Sequence, residues 1–102
     1  MSTLHTVNKS PFERNSLSSC LGHCKPGDAV LLIEDAVVGA RKGGSFAGRL
    51  AEAGKQCSMY ALGPDLAARG LKPEDMDACV QVVDYGGFVD LAAEHARTQA
   101  WL

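Results

Sequence analysis

The amino-acid sequence predicts a single small α/β domain, built on a mainly parallel sheet of about four to five strands with helices on both faces. The chain has 102 residues, which is the length of one domain. Hydrophobic residues make up 46% of the chain, enough for a packed core. Short apolar stretches typical of strands alternate with stretches of helical spacing, which is the pattern of βα units. We therefore treat residues 1–102 as one domain.

The first predicted strand and helix occupy the first quarter of the chain. Residues 4–7 are short and extended in character. Ser10, Pro11 and Glu13 then form an S-x-x-E capping box with proline at the first helical position. This pattern predicts a helix that begins there and runs to about Cys24, because the proline that follows disfavours helix.

The second strand is the clearest element of the sequence. Residues 29–33 form a continuous apolar run, which predicts a strand buried on both faces. Residues 36–40 are predicted to form a helical turn. Phe46, Leu50 and Ala53 recur at helical spacing and predict a second helix.

The second half of the chain continues the alternation. Residues 57–62 and 79–83 are the third and fourth predicted strands, and residues 64–69 form a short helix between them. Asp84 is predicted to cap the last helix, whose apolar residues are Phe88, Val89, Leu91 and Ala92. Residues 100–102 are expected to dock on this domain or on a partner, since tryptophan is favoured at interfaces.

Composition excludes several classes of function. The net charge is -2 and no basic patch is present, so we expect no direct contact with nucleic acid. No apolar run is long enough for a bilayer, and residues 1–8 lack the apolar core of a signal peptide, so a cytoplasmic location is expected. Neither a phosphate-binding loop nor a dinucleotide fingerprint occurs, and we expect no cofactor.

Four cysteines carry the most chemistry, and a reducing compartment would keep them as free thiols. Cys20, His23 and Cys24 are neighbours on the first predicted helix. Leu17 and Leu21 set its apolar stripe, which places Cys24 near the middle of the stripe and Cys20 at its edge. His23 lies further round, toward solvent. Cys20 is thus the candidate reactive thiol, and His23 could tune its pKa.

Two other interpretations of these residues remain open. Cys20 could be a small packing residue beside a surface histidine, because free cysteine is among the most buried residue types. Cys20, His23 and Cys24 could also bind zinc, although Cys24 is needed in the core and no fourth ligand is adjacent. Cys57 and Cys79 begin strands at the opposite end of the sheet and are predicted to be core residues.

Other polar residues have weaker claims to function. Glu34 and Asp35 follow a buried strand and could bind a cation or act as acid and base, but a solvated strand end is the preferred interpretation. His5 lies within the first strand and His95 on the apolar side of the last helix, and both are predicted to be structural.

Blocks of residues along nearly the whole chain resemble one known family. They are Leu4-His5-Thr6 with Ser10-Pro11-Phe12, residues 27–35, residues 60–71, residues 83–89 and Gln99-Ala100-Trp101. In order and spacing they are similar to the DsrH/TusB family of sulfur-relay subunits.

The resemblance implies an assembly. Members of the family combine with DsrE-like and DsrF-like subunits into a heterohexamer with two copies of each, and the complex carries sulfur as a cysteine persulfide. The principal sulfur-accepting cysteine is on the DsrE/TusD partner. One branch supplies 2-thiouridine at the tRNA wobble position. The other works with dissimilatory sulfite reductase and a DsrC-like sulfur acceptor in intracellular sulfur oxidation.

Within the family, a cysteine in the first helix is a feature of DsrH-type members, so Cys20 makes this chain resemble DsrH more than TusB. The resemblance therefore predicts a subunit of a DsrEFH-type complex, in which Cys20 accepts persulfide sulfur or contacts the acceptor's cysteine. The alternatives are a TusB-like relay subunit and a purely structural subunit. No stand-alone catalysis and no metal site are expected.

Overall fold

Five parallel strands form one sheet in the computed structural model, which describes residues 2–12 and 14–102. The strands are β1 (Thr3–Val7), β2 (Ala29–Leu32), β3 (Ser58–Leu62), β4 (Val80–Val83) and β5 (Arg97–Trp101). Their order across the sheet is β4-β3-β2-β1-β5, and every neighbouring pair is parallel. The predicted fold class is confirmed.

Helices cover both faces of the sheet unequally. They are α1 (Ser16–His23), α2 (Ala47–Ala53), α3 (Gly63–Ala68) and α4 (Tyr85–Glu94), with 3₁₀ helices at Glu34–Ala40 and Pro73–Asp75. Side chains of α1, α2, α3 and the first 3₁₀ helix enter the larger core cluster. On the other face, Leu91 of α4 packs with Leu4, Ala29 and Leu31 in a smaller cluster. One face therefore carries most of the helical cover.

β2 lies at the centre of the sheet because all four of its residues are apolar. Val30 and Leu32 belong to the larger cluster, and Ala29 and Leu31 to the smaller one. Alternate side chains point to opposite faces of a strand, so a continuous apolar run can supply both cores at once. No helix in residues 2–12 and 14–102 is both long and apolar enough to span a bilayer.

The first helix begins later than the capping pattern predicts. α1 starts at Ser16, whereas Ser10 and Pro11 belong to a turn in which the Ser10 hydroxyl accepts a hydrogen bond from the Phe12 amide at 3.2 Å. Glu13, the third residue of the predicted box, lies outside the described residues. Pro11 packs so closely on Gly39 that a Cβ there would lie 2.8 Å from the proline ring. This contact uses Pro11 for packing instead of helix initiation.

β5 was not predicted as a strand, and the tail was expected only to dock. Arg97–Trp101 pairs in parallel with the whole length of β1, and its first four residues are exposed. An edge strand facing solvent needs no apolar alternation, so it lacks the signal by which the four other strands were found.

α4 begins as predicted, with Asp84 as its cap. The Asp84 carboxylate accepts a hydrogen bond from the Gly87 amide at 2.8 Å. Gly87 also packs tightly, because a Cβ at this position would lie 2.8 Å from the Cβ of Val83. The glycine thus lets the first turn of α4 approach the end of β4.

Substitution of Gly87 tests this close approach. We expect Gly87→Ala to lower the free energy of unfolding by about 1–3 kcal/mol, because the new methyl overlaps Val83. Gly22→Ala is the matched control: it also lies in a helix but has open space around its Cβ, and it should raise stability by about 0.5–1 kcal/mol. Urea denaturation of both variants measures the difference. Equal effects of the two substitutions would contradict this packing.

Candidate functional site

Cys20 is wholly buried in the larger core cluster, which corrects its expected position at an accessible edge. The buried residues of α1 are Leu17 and Cys20, whereas Leu21 is only partly buried. The buried face of α1 therefore lies between Leu17 and Cys20, whereas the sequence placed it between Leu17 and Leu21. The position of Cys20 agrees with the packing interpretation, while a role in sulfur transfer remains a prediction.

Cys24 is half-buried, although the sequence placed it in the core. It follows the last residue of α1, and its backbone is extended, with a ψ of 139°. Because the chain has left the helix, the Cys24 side chain no longer follows the helical stripe. It lines an open cavity of about 380 Å³ between the end of α1 and α2.

Cys57 is the second thiol at this cavity. It is buried, as the sequence predicts, and its thiol donates to the Lys25 carbonyl at 3.1 Å. Burial, together with the neighbouring Cys24 thiol, raises the pKa of Cys57 to about 12. Interaction with the Cys20 thiol and burial raise the pKa of Cys24 further still. The Cys24 and Cys57 thiols are therefore protonated at neutral pH.

Cys79 stands apart from the cluster. It was predicted to be core but is half-buried, because β4 begins one residue later, at Val80. Burial and the hydrogen bond and charge of Asp77 raise the pKa of Cys79 to about 11. All four cysteines are free thiols.

His23 is exposed, as predicted, and its ring is held against β5. A backbone carbonyl can only accept, so the Nδ1–H of His23 donates to the Ser19 carbonyl at 2.7 Å. The ring centroid lies 5.4 Å from that of Trp101. With the Cys20 thiol inside the core, tuning of its pKa by His23 remains a prediction.

The metal hypothesis has no geometric support. Across residues 2–12 and 14–102, no three histidine, cysteine, aspartate or glutamate side chains are arranged to hold a metal ion. The hypothesis of zinc on Cys20, His23 and Cys24 fails because Cys20 faces the core and His23 contacts β5.

The acidic residues after β2 make structural contacts. Asp35 forms an ion pair with Arg69 at 2.7 Å. The amide of Glu34 donates to the Asp65 carboxylate at 2.6 Å, which holds Glu34 at a φ of +49°. These contacts tie the first 3₁₀ helix to α3 and favour the structural interpretation of the pair.

Three residues that lie far apart in the chain form a hydrogen-bonded clasp, made of His5, Asp28 and Trp101. The indole Nε1–H of Trp101 donates to Nδ1 of His5 at 3.0 Å, and Nε2 of His5 contacts Asp28 at 2.9 Å. The indole is a donor only, so Nδ1 accepts and the proton of neutral His5 sits on Nε2, where it donates to Asp28. The clasp thus joins β1, the start of β2 and the end of β5.

Asp28 is the residue of the clasp that the sequence reasoning missed. Burial alone would raise its pKa, but hydrogen bonds from His5 and from the amides of Thr3 and Lys25 outweigh burial and lower the pKa below 3.8. An acidic residue directly before an apolar strand is a weak signal, because most such residues are solvated. The clasp supports the structural interpretation of His5, and the pairing of β5 with β1 confirms that the tail docks on this domain.

Comparison with known proteins gives a consistent match along the chain. The family model described as "DsrH like protein" matches residues 9–98. Protein TusB of Pectobacterium carotovorum subsp. carotovorum (strain PC1) is 36% identical over 98 residues, covering 96% of this chain and 99% of that protein. Protein TusB of Escherichia coli O139:H28 (strain E24377A / ETEC) is 34% identical, with the same coverage.

Two solved structures share the fold. The ychN protein from E. coli has a TM-score of 0.81 at 14% identity, covering 98% of this chain and 99% of that one. The protein of unknown function MTH1491 from Methanobacterium thermoautotrophicum has a TM-score of 0.76 at 18% identity, covering 96% and 97%. At these identities the likeness concerns the fold alone.

Thiol accessibility can be read out by alkylation of the native protein. We expect iodoacetamide to modify the half-buried Cys79 before Cys24, because the pKa of Cys24 is raised further, whereas the buried Cys20 and Cys57 react once urea unfolds the chain. Because only the thiolate reacts, the rate at Cys79 should rise about tenfold per pH unit below its pKa. Peptide mapping by mass spectrometry measures each site. Rapid labelling of Cys20 in the native protein would contradict its burial.

The clasp predicts the response of stability to acid. The pKa of folded Asp28 lies below 3.8, so its carboxylate stabilises the protein above that pH, and this contribution is lost as the pH falls through the folded pKa. Asp28→Asn should be less stable than the wild type at pH 7 and should lose less stability on acidification. Asp90→Asn, at an exposed position of α4, is the control and should retain the wild-type response. Urea titrations across the acid range measure both; parallel curves for Asp28→Asn and the wild type would contradict the clasp.

Proposed function

Because the chain belongs to the DsrH/TusB family, we propose that it is a subunit of a sulfur relay that supplies sulfur for 2-thiouridine at the wobble position of tRNA. The observation that carries the proposal is the match to proteins named TusB, at 36% identity over 96% of the chain. Both chains align over nearly their full length.

The burial of Cys20 also bears on the choice between the two branches of the family. Cys20 was the reason for placing this chain nearer to DsrH and sulfur oxidation. In the structure it packs among Leu17 and other residues of the larger core, so its presence has a packing explanation. The preference for the tRNA branch therefore rests on the named relatives.

We propose that the chain acts within a complex with two partner subunits of the DsrE/TusD and DsrF/TusC kinds. Four large apolar side chains support this proposal because they are exposed on the isolated chain: Phe12, Tyr85, Val89 and Leu102. Tyr85 and Val89 lie one turn apart on α4, and neighbouring exposed apolar side chains are typical of surfaces that bind other proteins. The net charge of -2 supports a role in which tRNA is contacted by other components of the relay.

Sulfur oxidation remains the second candidate, since a cysteine in the first helix is the feature that resembles DsrH. In that reading the relay passes sulfur to or from a DsrC-like acceptor, and the principal persulfide again forms on the partner's cysteine. The two candidates differ in their end product, so the same strain can test both.

Deletion of the gene from its host tests the proposal. We expect 2-thiouridine to disappear from digested tRNA, because the relay lacks a subunit, while growth on reduced sulfur compounds is unaffected. Liquid chromatography with mass spectrometry measures the nucleoside. Complementation with Cys20→Ser should restore it if Cys20 is a packing residue, and Cys79→Ser is the matched control.

The opposite pattern would support the second candidate. Normal 2-thiouridine with a loss of sulfur oxidation in the deletion strain would overturn the proposed function. Failure of a folded Cys20→Ser protein to complement, with Cys79→Ser active, would place the Cys20 thiol in the relay itself.

A further inference from the structure

Cys24 and Cys57 are held side by side by contacts between two chain segments. The segment after α1, residues 25–28, and residues 56–58 at the start of β3 are joined by three hydrogen bonds. The amide of Gly27 donates to the Gln56 carbonyl at 3.4 Å, and the amide of Ser58 donates to the Asp28 carbonyl at 3.1 Å. The Cys57 thiol donates to the Lys25 carbonyl between them at 3.1 Å. The proximity of the two cysteines is thus built into the backbone.

Both cysteines line one cavity, where Cys24 is half-buried and Cys57 lies buried behind the surface. Its volume of about 380 Å³ exceeds what a single added sulfur atom needs, and Cys24 is its half-buried thiol. Arg49 and Glu52 of α2 lie at the same cavity, whereas the wholly buried Cys20 is absent from its lining. A small sulfur compound that enters would therefore meet Cys24 first and Cys57 next.

We propose that Cys24 and Cys57 form a dithiol pair that takes sulfane sulfur from a persulfide and discharges it as hydrogen sulfide. The proposal rests on the proposed function, because a sulfur relay is what would bring a persulfide to this chain. Such a pair would remove persulfide sulfur from the relay when no acceptor protein is available to take it. It assigns a chemical role to one buried cysteine, Cys57, and one half-buried cysteine, Cys24.

The chemistry consists of two exchange steps. In the first, the sulfur of Cys24 attacks the terminal sulfur of the donor persulfide; the bond between the donor's two sulfurs breaks, and the Cys24 proton passes to the departing donor thiol. In the second, the sulfur of Cys57 attacks Cys24 Sγ of the new persulfide. The Cys24–Cys57 disulfide forms, and the terminal sulfur leaves with two protons as hydrogen sulfide. Two cysteines are oxidised and one sulfane sulfur is reduced, so the electrons balance.

Because its thiols are protonated at neutral pH, this pair reacts slowly with sulfur compounds in solution. Burial and the neighbouring Cys24 thiol raise the pKa of Cys57 to about 12, so very little thiolate is present at neutral pH. Ordinary disulfides in solution would exchange with the pair slowly. An electrophilic sulfur delivered into the cavity by a bound partner would react at a much higher local concentration.

The test uses reduced full-length protein and glutathione persulfide as the donor. We expect the wild type to release one sulfide per chain, to lose the mass of two hydrogens, and to yield a Cys24–Cys57 disulfide in a non-reducing peptide map. Cys57→Ser should retain the sulfur on Cys24, visible as the added mass of one sulfur atom. Cys24→Ser should do neither. Cys79→Ser removes another half-buried thiol and should behave as the wild type.

Several outcomes would overturn the proposal. Sulfide release by Cys24→Ser at the wild-type rate would do so, as would a disulfide that maps to Cys20 and Cys24. Absence of trapped sulfur on both Cys57→Ser and Cys57→Ala, with circular dichroism spectra like that of the wild type, would also overturn it. The double variant Cys24→Ser/Cys57→Ser gives the background of sulfide that glutathione persulfide releases unaided.

The assay is independent of tRNA, which separates the two proposals. Loss of 2-thiouridine on gene deletion together with an inert Cys24–Cys57 pair would leave the proposed function standing and remove this inference. If the Cys24–Cys57 pair reacts but deletion of the gene leaves 2-thiouridine unchanged, the inference stands and the proposed function is removed.

Discussion

The buried carboxylate of Asp28 is the interaction on which the rest of this structure depends. It accepts hydrogen bonds from the Thr3 and Lys25 amides and from His5, so it fixes the start of β1, the loop after α1 and the entry into β2 together. His5 then presents Nδ1 to Trp101 and holds the end of β5. A buried charge of this kind is tolerated because its hydrogen bonds replace water. The loop that it positions is also the one that carries Cys24 to the side of Cys57.

Much of the fold could be predicted because its signals are local. The apolar run at Ala29–Leu32 and the cap at Asp84 depend on a few neighbouring residues, and both appear where expected. The short helix predicted at residues 64–69 is observed as α3, Gly63–Ala68, and Gly70 beyond it has a φ of +69°. β5 could not be found in this way because an exposed edge strand carries no apolar period. The predicted start of α1 was wrong because Pro11 packs against Gly39, a residue distant in the chain, and does not begin the helix.

The candidate site was harder to predict because it depends on contacts between residues that are distant in the chain. The position of Cys20 was derived from a helical stripe, and a small rotation of that stripe exchanges an accessible thiol for a buried one. The pairing of Cys24 with Cys57 depends on the loop after α1, which contacts the residue before β3. The contact joins Lys25 and Cys57, which are 32 residues apart in the chain. The clasp joins residues 96 positions apart, His5 and Trp101. Spacing rules for helices and strands do not extend to such distances, although the overall resemblance to a family does.

The indole of the clasp also has an optical consequence. Trp101 is the sole tryptophan of the chain, and it lies at the edge strand, against two imidazole rings. Trp101 also packs against the larger core cluster, so intrinsic tryptophan fluorescence of this protein reports on the contact between β5 and that core. Far-ultraviolet circular dichroism, in contrast, follows the helices. When the two signals are recorded during one denaturation, any separation between them measures how far the last strand leaves the sheet before the domain itself unfolds.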